Sequence, residues 1–264
     1  MNPDLNFAIE CARKAGEILL AYFGKAQDSH LKADGHPVSE ADLATDRFLR
    51  ASFSNRFPDD AWLSEETQDD LRRLSCSRVW IVDPLDGTKE FLQGIPEFSI
   101  SIALLELNLP KLAVVYNPAE GDLVCAEYNR GLNRGNRRVS PLRKSGRETP
   151  RIAVSRTEWS KGLFHQTSPF GDIRAIGSIA YKLALLAAGE IDLVASRTAK
   201  SEWDVCAGSL LVSEAGAKFT DFTGAPVQFN RPEPFMRGVL AAPPHLHERA
   251  LRWMFQEKLL FLER

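Results

Sequence analysis

The chain is predicted to begin as α+β and to finish as α/β. Two amphipathic helix patterns, followed by several short strand-like runs with tight connections, place helices against a mainly antiparallel sheet in the first half. Strand and helix patterns then alternate from about residue 151, the mark of an α/β arrangement. Between them, residues 130–150 turn rich in Arg, Gly, Asn, Ser and Pro, so the boundary is set there, giving expected domains of 1–148 and 149–264. A length of 264 residues with 44% hydrophobic content supports a sizeable core.

The first helix is read over residues 5–23, where Phe7, Cys11, Ala15, Ile18, Leu19 and Tyr22 recur at helical spacing and Gly24 closes the pattern. The second starts near Ser39, with Ala41, Thr45, Phe48, Leu49 and Phe53 on one face until Phe57-Pro58 stops it. Val79-Trp80-Ile81-Val82 reads as a buried strand leading into Asp83. Strands are expected over 99–107 and 111–116, joined by a turn at Asn108-Leu109-Pro110, with another over 123–127; such short connections imply antiparallel neighbours. The second half offers strands over 151–155 and 191–195, helices over 179–188 and 205–215, a cap at Gly216 and a terminal helix over 247–264.

Composition excludes several classes. A net charge of −2 argues against a broad nucleic-acid footprint, and the four dispersed cysteines form no zinc or disulfide framework. Residues 1–19 carry charges that break their apolar pattern, so no signal peptide is read, and no apolar run approaches the ~20 residues of a membrane span. A cytoplasmic protein is expected, with peripheral association at the inner membrane left open. Trp62 and Trp80 read as core, and His245-Leu246-His247 as surface, there being no third ligand nearby. Gly162 and Gly171 bracket a loop.

Carboxylates recur where local structure ends or turns: Asp42 at the second helix, Glu65-Glu66 after Ala61-Trp62-Leu63, Asp83 and Asp86 around Pro84-Leu85, and Asp204 in Glu202-Trp203-Asp204. Each has a plainer explanation. Asp42 and Asp204 suit the positive end of a helix, Glu65-Glu66 suits solvent, and Asp86-Gly87 suits a turn. Asp83 is harder to dismiss, because a carboxylate at the end of a buried strand needs a partner. Residues 79–88 contain no Lys or Arg, so a hard divalent cation is the natural partner. Gly87-Thr88 can let backbone approach a ligand and open a short helix whose amides hold phosphate. Together these features describe metal-assisted phosphoryl hydrolysis.

Asp83-Pro84-Leu85-Asp86-Gly87-Thr88, with Glu65-Glu66 upstream and Trp203-Asp204 downstream, resembles the inositol monophosphatase superfamily. The continuation Lys89-Glu90-Phe91, with Glu202-Trp203-Asp204 and Gly177-Ser178 followed by Lys182, is similar to its 3′(2′),5′-bisphosphate nucleotidase branch, the CysQ type. The resemblance implies a layered αβαβα sandwich, two or three Mg2+ ions, and hydrolysis of 3′-phosphoadenosine 5′-phosphate to AMP and phosphate by a monomer or homodimer. Glu65, Asp83 and the Leu85 carbonyl match the first metal position; Asp83, Asp86 and Asp204 match the second. Asp42 matches the partner of a catalytic Thr88, and Gly87 with Thr88 the phosphate cradle. Residues 130–136 are shorter than the usual hairpin. Arg197 stands where inositol-specific members use Glu, which favours a second anionic group on the substrate.

Lys89, Lys182, Arg197 and Lys200 are candidates for that second phosphate, each against the plainer reading of a solvated charge. Ser178 is a candidate for a ribose hydroxyl, and Glu65 with the Thr88–Asp42 pair for orienting water. Inositol monophosphatase or fructose-1,6-bisphosphatase activity is the enzymatic alternative. The alternative from another class is RNA binding through Arg134, Arg137, Arg138, Arg143 and Lys144, although no aromatics are interleaved and no stable nucleic-acid partner is expected.

Overall fold

The computed structural model describes residues 2–25, 29–31, 37–142, 149–164 and 170–262. Helix α1 (Pro3–Tyr22) is capped by Asn2, whose side chain accepts the Asp4 N–H. A short ribbon of β1 (Ser29–Leu31) and β2 (Pro37–Ser39) leads into α2 (Glu40–Arg56). Strand β3 (Ala61–Ser64) is followed by a 3-10 turn at Arg72–Ser75, then β4 (Arg78–Asp86) and the short helix α3 (Thr88–Leu92). Strands β5 (Ser99–Glu106), β6 (Leu109–Asn117), β7 (Asp122–Glu127), β8 (Gly131–Arg134) and β9 (Arg137–Arg138) complete a seven-stranded sheet in sequence order. Its β3–β4 pair is parallel and the other pairs antiparallel.

One detail here differs from the sequence reading. The β5–β6 turn is the two-residue Leu107-Asn108, both at positive φ (51° and 65°), while Leu109 and Pro110 already pair with Glu106 and Leu105. Such a turn matches the twist of the flanking strands. Residues 131–138, where the composition changes and the resemblance implies a shortened hairpin, form the last hairpin of the first sheet. The expected boundary at 148/149 adjoins residues 143–148, which lie outside the described ones.

The second half contains β10 (Arg151–Ser155), α4 (Arg156–Ser160), β11 (Asp172–Ile176), α5 (Ile179–Ala187), β12 (Leu193–Ser196), β13 (Lys200–Ser201) and α6 (Glu202–Glu214). It closes with β14 (Lys218–Asp221), β15 (Phe235–Met236), β16 (Val239–Ala242) and α7 (Pro244–Leu262). A mixed sheet runs β11-β10-β12-β16-β14, and β13 pairs separately with β15.

Strand periodicity assigns the layers. Along β4, Trp80 and Val82 face a core shared with α1 and α2, whereas Val79 and Ile81 face a core shared with α5 and α6. Along β16, Val239 and Ala241 join that second core, while Leu240 and Ala242 meet α7. The order is therefore helix pair, sheet, helix pair, sheet, helix: a layered αβαβα sandwich. The middle helices pack closely, since a Cβ on Gly208 would lie 2.4 Å from Leu183 Cδ1. Trp80 is buried beside Phe53. His247, read as surface, is also buried, its Nε2 3.0 Å from Thr220 Oγ1. No helix among the described residues is long and apolar enough to cross a membrane.

Candidate active site

Strand β4 loses its register against β5 between Asp83 and Asp86. Three residue steps on β4 match two on β5, from Ser101 to Ser99, so one residue bulges out. Pro84, which has no N–H to offer a ladder, sits in that bulge. The bulge re-aims both aspartates at the strand end. Asp83 is buried, and its Oδ1 accepts the Leu85 N–H at 2.9 Å. Asp86 Oδ2 accepts the Ser178 hydroxyl at 2.6 Å and the Ala180 N–H at 2.7 Å, tying β4 to the start of α5.

Gly87 then turns the chain with φ 99°, and a Cβ there would lie 2.9 Å from the Glu97 carbonyl. Glycine is required by this left-handed turn against the Glu97–Phe98 backbone; the close approach expected to a ligand is made to the protein itself. Helix α3 begins at Thr88, so its first-turn amides have no acceptor one turn back. Thr88 Oγ1 lies 3.0 Å from Asp42 Oδ1 and 3.2 Å from the Leu85 carbonyl, either of which can take its single proton.

Asp42 and Asp204 occupy the same local position, third in a helix that opens with a capping box. Ser39 donates both its N–H (2.8 Å) and its hydroxyl (2.6 Å) to Asp42 Oδ2. Ser201 donates its N–H to Asp204 Oδ2 at 2.9 Å. Glu65 and Glu66 follow β3 in a loop held from α2, where Asp46 accepts hydroxyl hydrogen bonds from Ser64 and Thr67 on either side of them.

Four of these groups lie within reach of one another's charge. Burial, then the charges of Glu65, Asp86 and Asp204, holds Asp83 well above the usual carboxylate range. Asp86 is raised by burial and by Glu65, against the opposing Ser178 and Ala180 hydrogen bonds and the Lys182 charge. Burial, followed by Asp86 and Glu65, pushes Asp204 up to about 8. Among the described residues no three such side chains are already gathered to hold a metal; Asp83, Asp86 and Asp204 are turned onto protein donors instead. The donor set is nonetheless all oxygen and strongly repulsive, the chemistry that a hard divalent cation relieves.

The substrate candidates divide. Lys182 is 1% exposed, and its ammonium donates to the carbonyls of Ile176 (2.7 Å), Gly177 (3.2 Å) and Ser178 (2.9 Å). An unpaired ammonium there would cost several kcal/mol, so it clamps this turn and is not presented to a phosphate. Burial also pulls it down to about 8. Ser178, expected at a ribose, is buried at φ 49° with its hydroxyl on Asp86 and facing Ser99 Oγ at 3.0 Å. Arg197 places Nη2 on the Met254 carbonyl (2.9 Å) and its guanidinium over Phe164 (5.0 Å), against the outer helix. Lys200 bonds Thr198 Oγ1 (2.7 Å) and the Ala199 carbonyl (3.1 Å), close enough to lower Asp204. Lys89 is exposed on α3.

Sequence reasoning missed Glu97. It takes a two-pronged hydrogen bond from Arg156 (2.6 and 2.7 Å) and the Gly177 N–H (2.7 Å). Burial pushes its carboxyl up, but those bonds outweigh it and hold the group below its ordinary value. Together with Lys182 it fixes the 176–178 turn that presents Ser178 to Asp86. Gly177 is needed there because a Cβ would lie 2.5 Å from Glu90 Cγ. Of the basic run, Arg134 is paired with Asp122 (2.7 and 2.9 Å) and Glu190 (2.7 Å); Arg143 and Lys144 lie outside the described residues.

Mutually repelling carboxylates beside a hydroxyl–carboxylate pair, in an αβαβα sandwich, are the features this site brings to a comparison with known proteins. Residues 1–257 match the inositol monophosphatase family, and the chain belongs to that family. It is 34% identical over 230 residues to the inositol-1-monophosphatase of Rhizobium meliloti (strain 1021), covering 83% of this chain and 86% of that protein. It is 32% identical over 239 residues to the 3′(2′),5′-bisphosphate nucleotidase CysQ of Shigella flexneri, covering 88% and 96%. The solved inositol monophosphatase of Thermotoga maritima superposes with a TM-score of 0.86 at 26% identity, over 97% of this chain and 98% of that one. The family's enzymes are phosphatases, generally dependent on Mg2+.

Proposed function

We propose that the chain is a Mg2+-dependent phosphomonoesterase acting on a small phosphate ester, with 3′-phosphoadenosine 5′-phosphate as the first substrate and AMP and phosphate as its products. The observation that carries the reading is the Asp42–Thr88 hydrogen bond beside a strand end whose carboxylates repel one another, Asp83 and Asp86 with Glu65 and Asp204. Those four carboxylates and the Leu85 carbonyl are the groups that would hold Mg2+. Mg2+ held there would supply positive charge to offset the phosphate and to acidify a nearby water.

The chain's own residues supply the rest. Thr88 donates its proton to Asp42, which leaves the Thr88 oxygen lone pairs to accept from a water and orient it. The anchoring of Asp42 Oδ2 by Ser39 fixes that direction before substrate arrives. Glu65 is the second group for water, and the first-turn amides of α3 are donors for phosphate oxygens.

The nucleotide preference is supported by Lys89-Glu90-Phe91 after Thr88 and by the nucleotidase relative. Lys200 and Lys89 are the cations for a second phosphate; Arg197 and Lys182 are engaged elsewhere. Inositol 1-phosphate is the competing substrate, given the relative of that activity. Phosphate release from phosphoadenosine phosphate, inositol 1-phosphate and fructose 1,6-bisphosphate, each with and without Mg2+, tests the reading. The nucleotide should give the highest kcat/KM, with release lost on chelation. Faster turnover of inositol 1-phosphate overturns the nucleotide preference alone, and no Mg2+-dependent release from any ester overturns the phosphatase reading.

A further inference from the structure

Glu65 and Asp204 come from opposite halves of the chain, and a chain of buried and part-buried hydrogen bonds joins the segments that carry them. Arg73, only 1% exposed, donates Nε and Nη2 to Asp69 Oδ2 (3.0 and 2.7 Å), four residues beyond Glu65. Its Nη1 reaches Asn230 Oδ1 at 2.8 Å, and Nη2 also reaches the Arg231 carbonyl at 2.9 Å. Asn230 returns Nδ2 to the Arg73 carbonyl (3.1 Å) and to Asn108 Oδ1 (2.8 Å). Glu202, fully buried and two residues before Asp204, accepts the Asn230 N–H (2.7 Å) and the Arg231 N–H (3.0 Å) on separate oxygens. Its own N–H is donated to the Pro234 carbonyl at 2.9 Å.

Burying a guanidinium and a carboxylate gains little over apolar packing of similar volume, because desolvation offsets most of the attraction. What such a network supplies is fixed geometry. Here it fixes the far end of the Glu65 loop, whose near end Asp46 already holds on α2. It ends on the residue that starts α6, the helix of Asp204.

We propose that Arg73, Asn230 and Glu202 form a positioning device that keeps the Glu65 loop in register with the Asp204 helix, so that both carboxylates can reach bound divalent metal. The proposal rests on the reading of Glu65 and Asp204 as metal-binding residues. The network's residues act only through those two carboxylates.

The test is Mn2+ binding to the full chain without substrate, followed by electron paramagnetic resonance, beside kcat, KM and the thermal midpoint. Asn230→Gly removes all three of its side-chain hydrogen bonds, to Arg73 and Asn108, while suiting the φ of 60° at that position. Glu202→Gln keeps the shape and withdraws one acceptor, and serves if the first variant does not fold. Each should raise the Mn2+ Kd and the Mg2+ half-saturation about tenfold, within the range known for outer partners of metal ligands. KM for the ester should stay within twofold of wild type at saturating Mg2+. A folded variant with a lower thermal midpoint and unchanged Mn2+ binding overturns the positioning proposal alone. A wild-type chain that binds no Mn2+ overturns the metal reading, and the proposal with it.

Discussion

The openings of α2 and α6 use the same device for different ends. Each places an aspartate third in the helix, and each aspartate accepts the N–H of a capping serine. At α2, Ser39 adds its hydroxyl and Thr88 takes the other oxygen, so Asp42 is held by hydrogen bonds on both. At α6, Ser201 engages Oδ2 of Asp204, which also faces Asp86 and Glu65 and is pushed up to about 8. Capping and chemistry are therefore not competing explanations. The cap fixes a carboxylate at a helix end, and its remaining neighbours decide whether it orients a hydroxyl or invites a cation.

The largest effect should separate the two. Asparagine can still accept the capping N–H, so Asp204→Asn and Asp42→Asn should both fold, with thermal midpoints within a few degrees of wild type. Asp204→Asn withdraws a charge from the carboxylate nest and should lower kcat by 10³-fold or more, with the Mg2+ half-saturation raised. Asp42→Asn loses the anionic acceptor for Thr88 and should cost about 10²-fold in kcat, the scale of a proton-transfer contribution, with the Mg2+ half-saturation nearly unchanged. Equal Mg2+ shifts in the two variants would break the comparison.

The contrast also governs how much could be read in advance. The 83–88 segment was legible because strand end, Pro-stiffened turn and helix start follow one another within a few residues. The carboxylates of Asp42, Glu65 and Asp204 stand out at element ends, but only the resemblance brings them together, since nothing local says that they meet. The supporting shell was not legible at all. Asp86–Ser178, Glu97–Gly177 and Arg73–Asn230 are separated by 92, 80 and 157 residues, and each depends on how layers stack. Lys182 did leave a signal: it shares the apolar face of α5 with Ile179, Leu183 and Leu186. A lysine at such spacing is better read as a buried clamp than as a substrate cation. The β5–β6 turn was misplaced because Pro110 suggests a turn, whereas a strand residue whose N–H is not needed accommodates it equally well.

A middle-sized effect follows from pH. Metal binding needs Asp204 as the carboxylate, and in the metal-free protein burial and its anionic neighbours keep it protonated up to about pH 8. Lowering the pH below 8 makes protons compete with Mg2+, so the apparent affinity should fall by about tenfold per unit for each proton displaced. The same shift has a stability consequence: the folded metal-free chain binds this proton more tightly than the unfolded chain. Its thermal midpoint should therefore decline as pH rises from about 4 to 8, and Mg2+ should suppress the decline. Calorimetric Mg2+ titrations at pH 6, 7 and 8 check the first part. An affinity flat across that range would show that Asp204 is not the titrating group.

The smallest effect tests the caps themselves. Ser39→Ala and Ser201→Ala each remove a capping hydroxyl, and each should cost about 1 kcal/mol of stability. Their effects on turnover should differ. The Ser39 hydroxyl also donates to Asp42 at 2.6 Å, so its loss leaves the acceptor of Thr88 less firmly aimed and should lower kcat several-fold. Ser201 meets the Asp204 carboxylate through its backbone N–H, which alanine retains, so that variant should turn over within twofold of wild type. Equal stability losses with unequal kcat would show that one cap is wired into the water-orienting pair and the other only into its helix. Equal losses in both measurements would mean that Asp42 keeps its aim through the Ser39 backbone N–H and Thr88 alone, and that the second bond from Ser39 belongs to the fold.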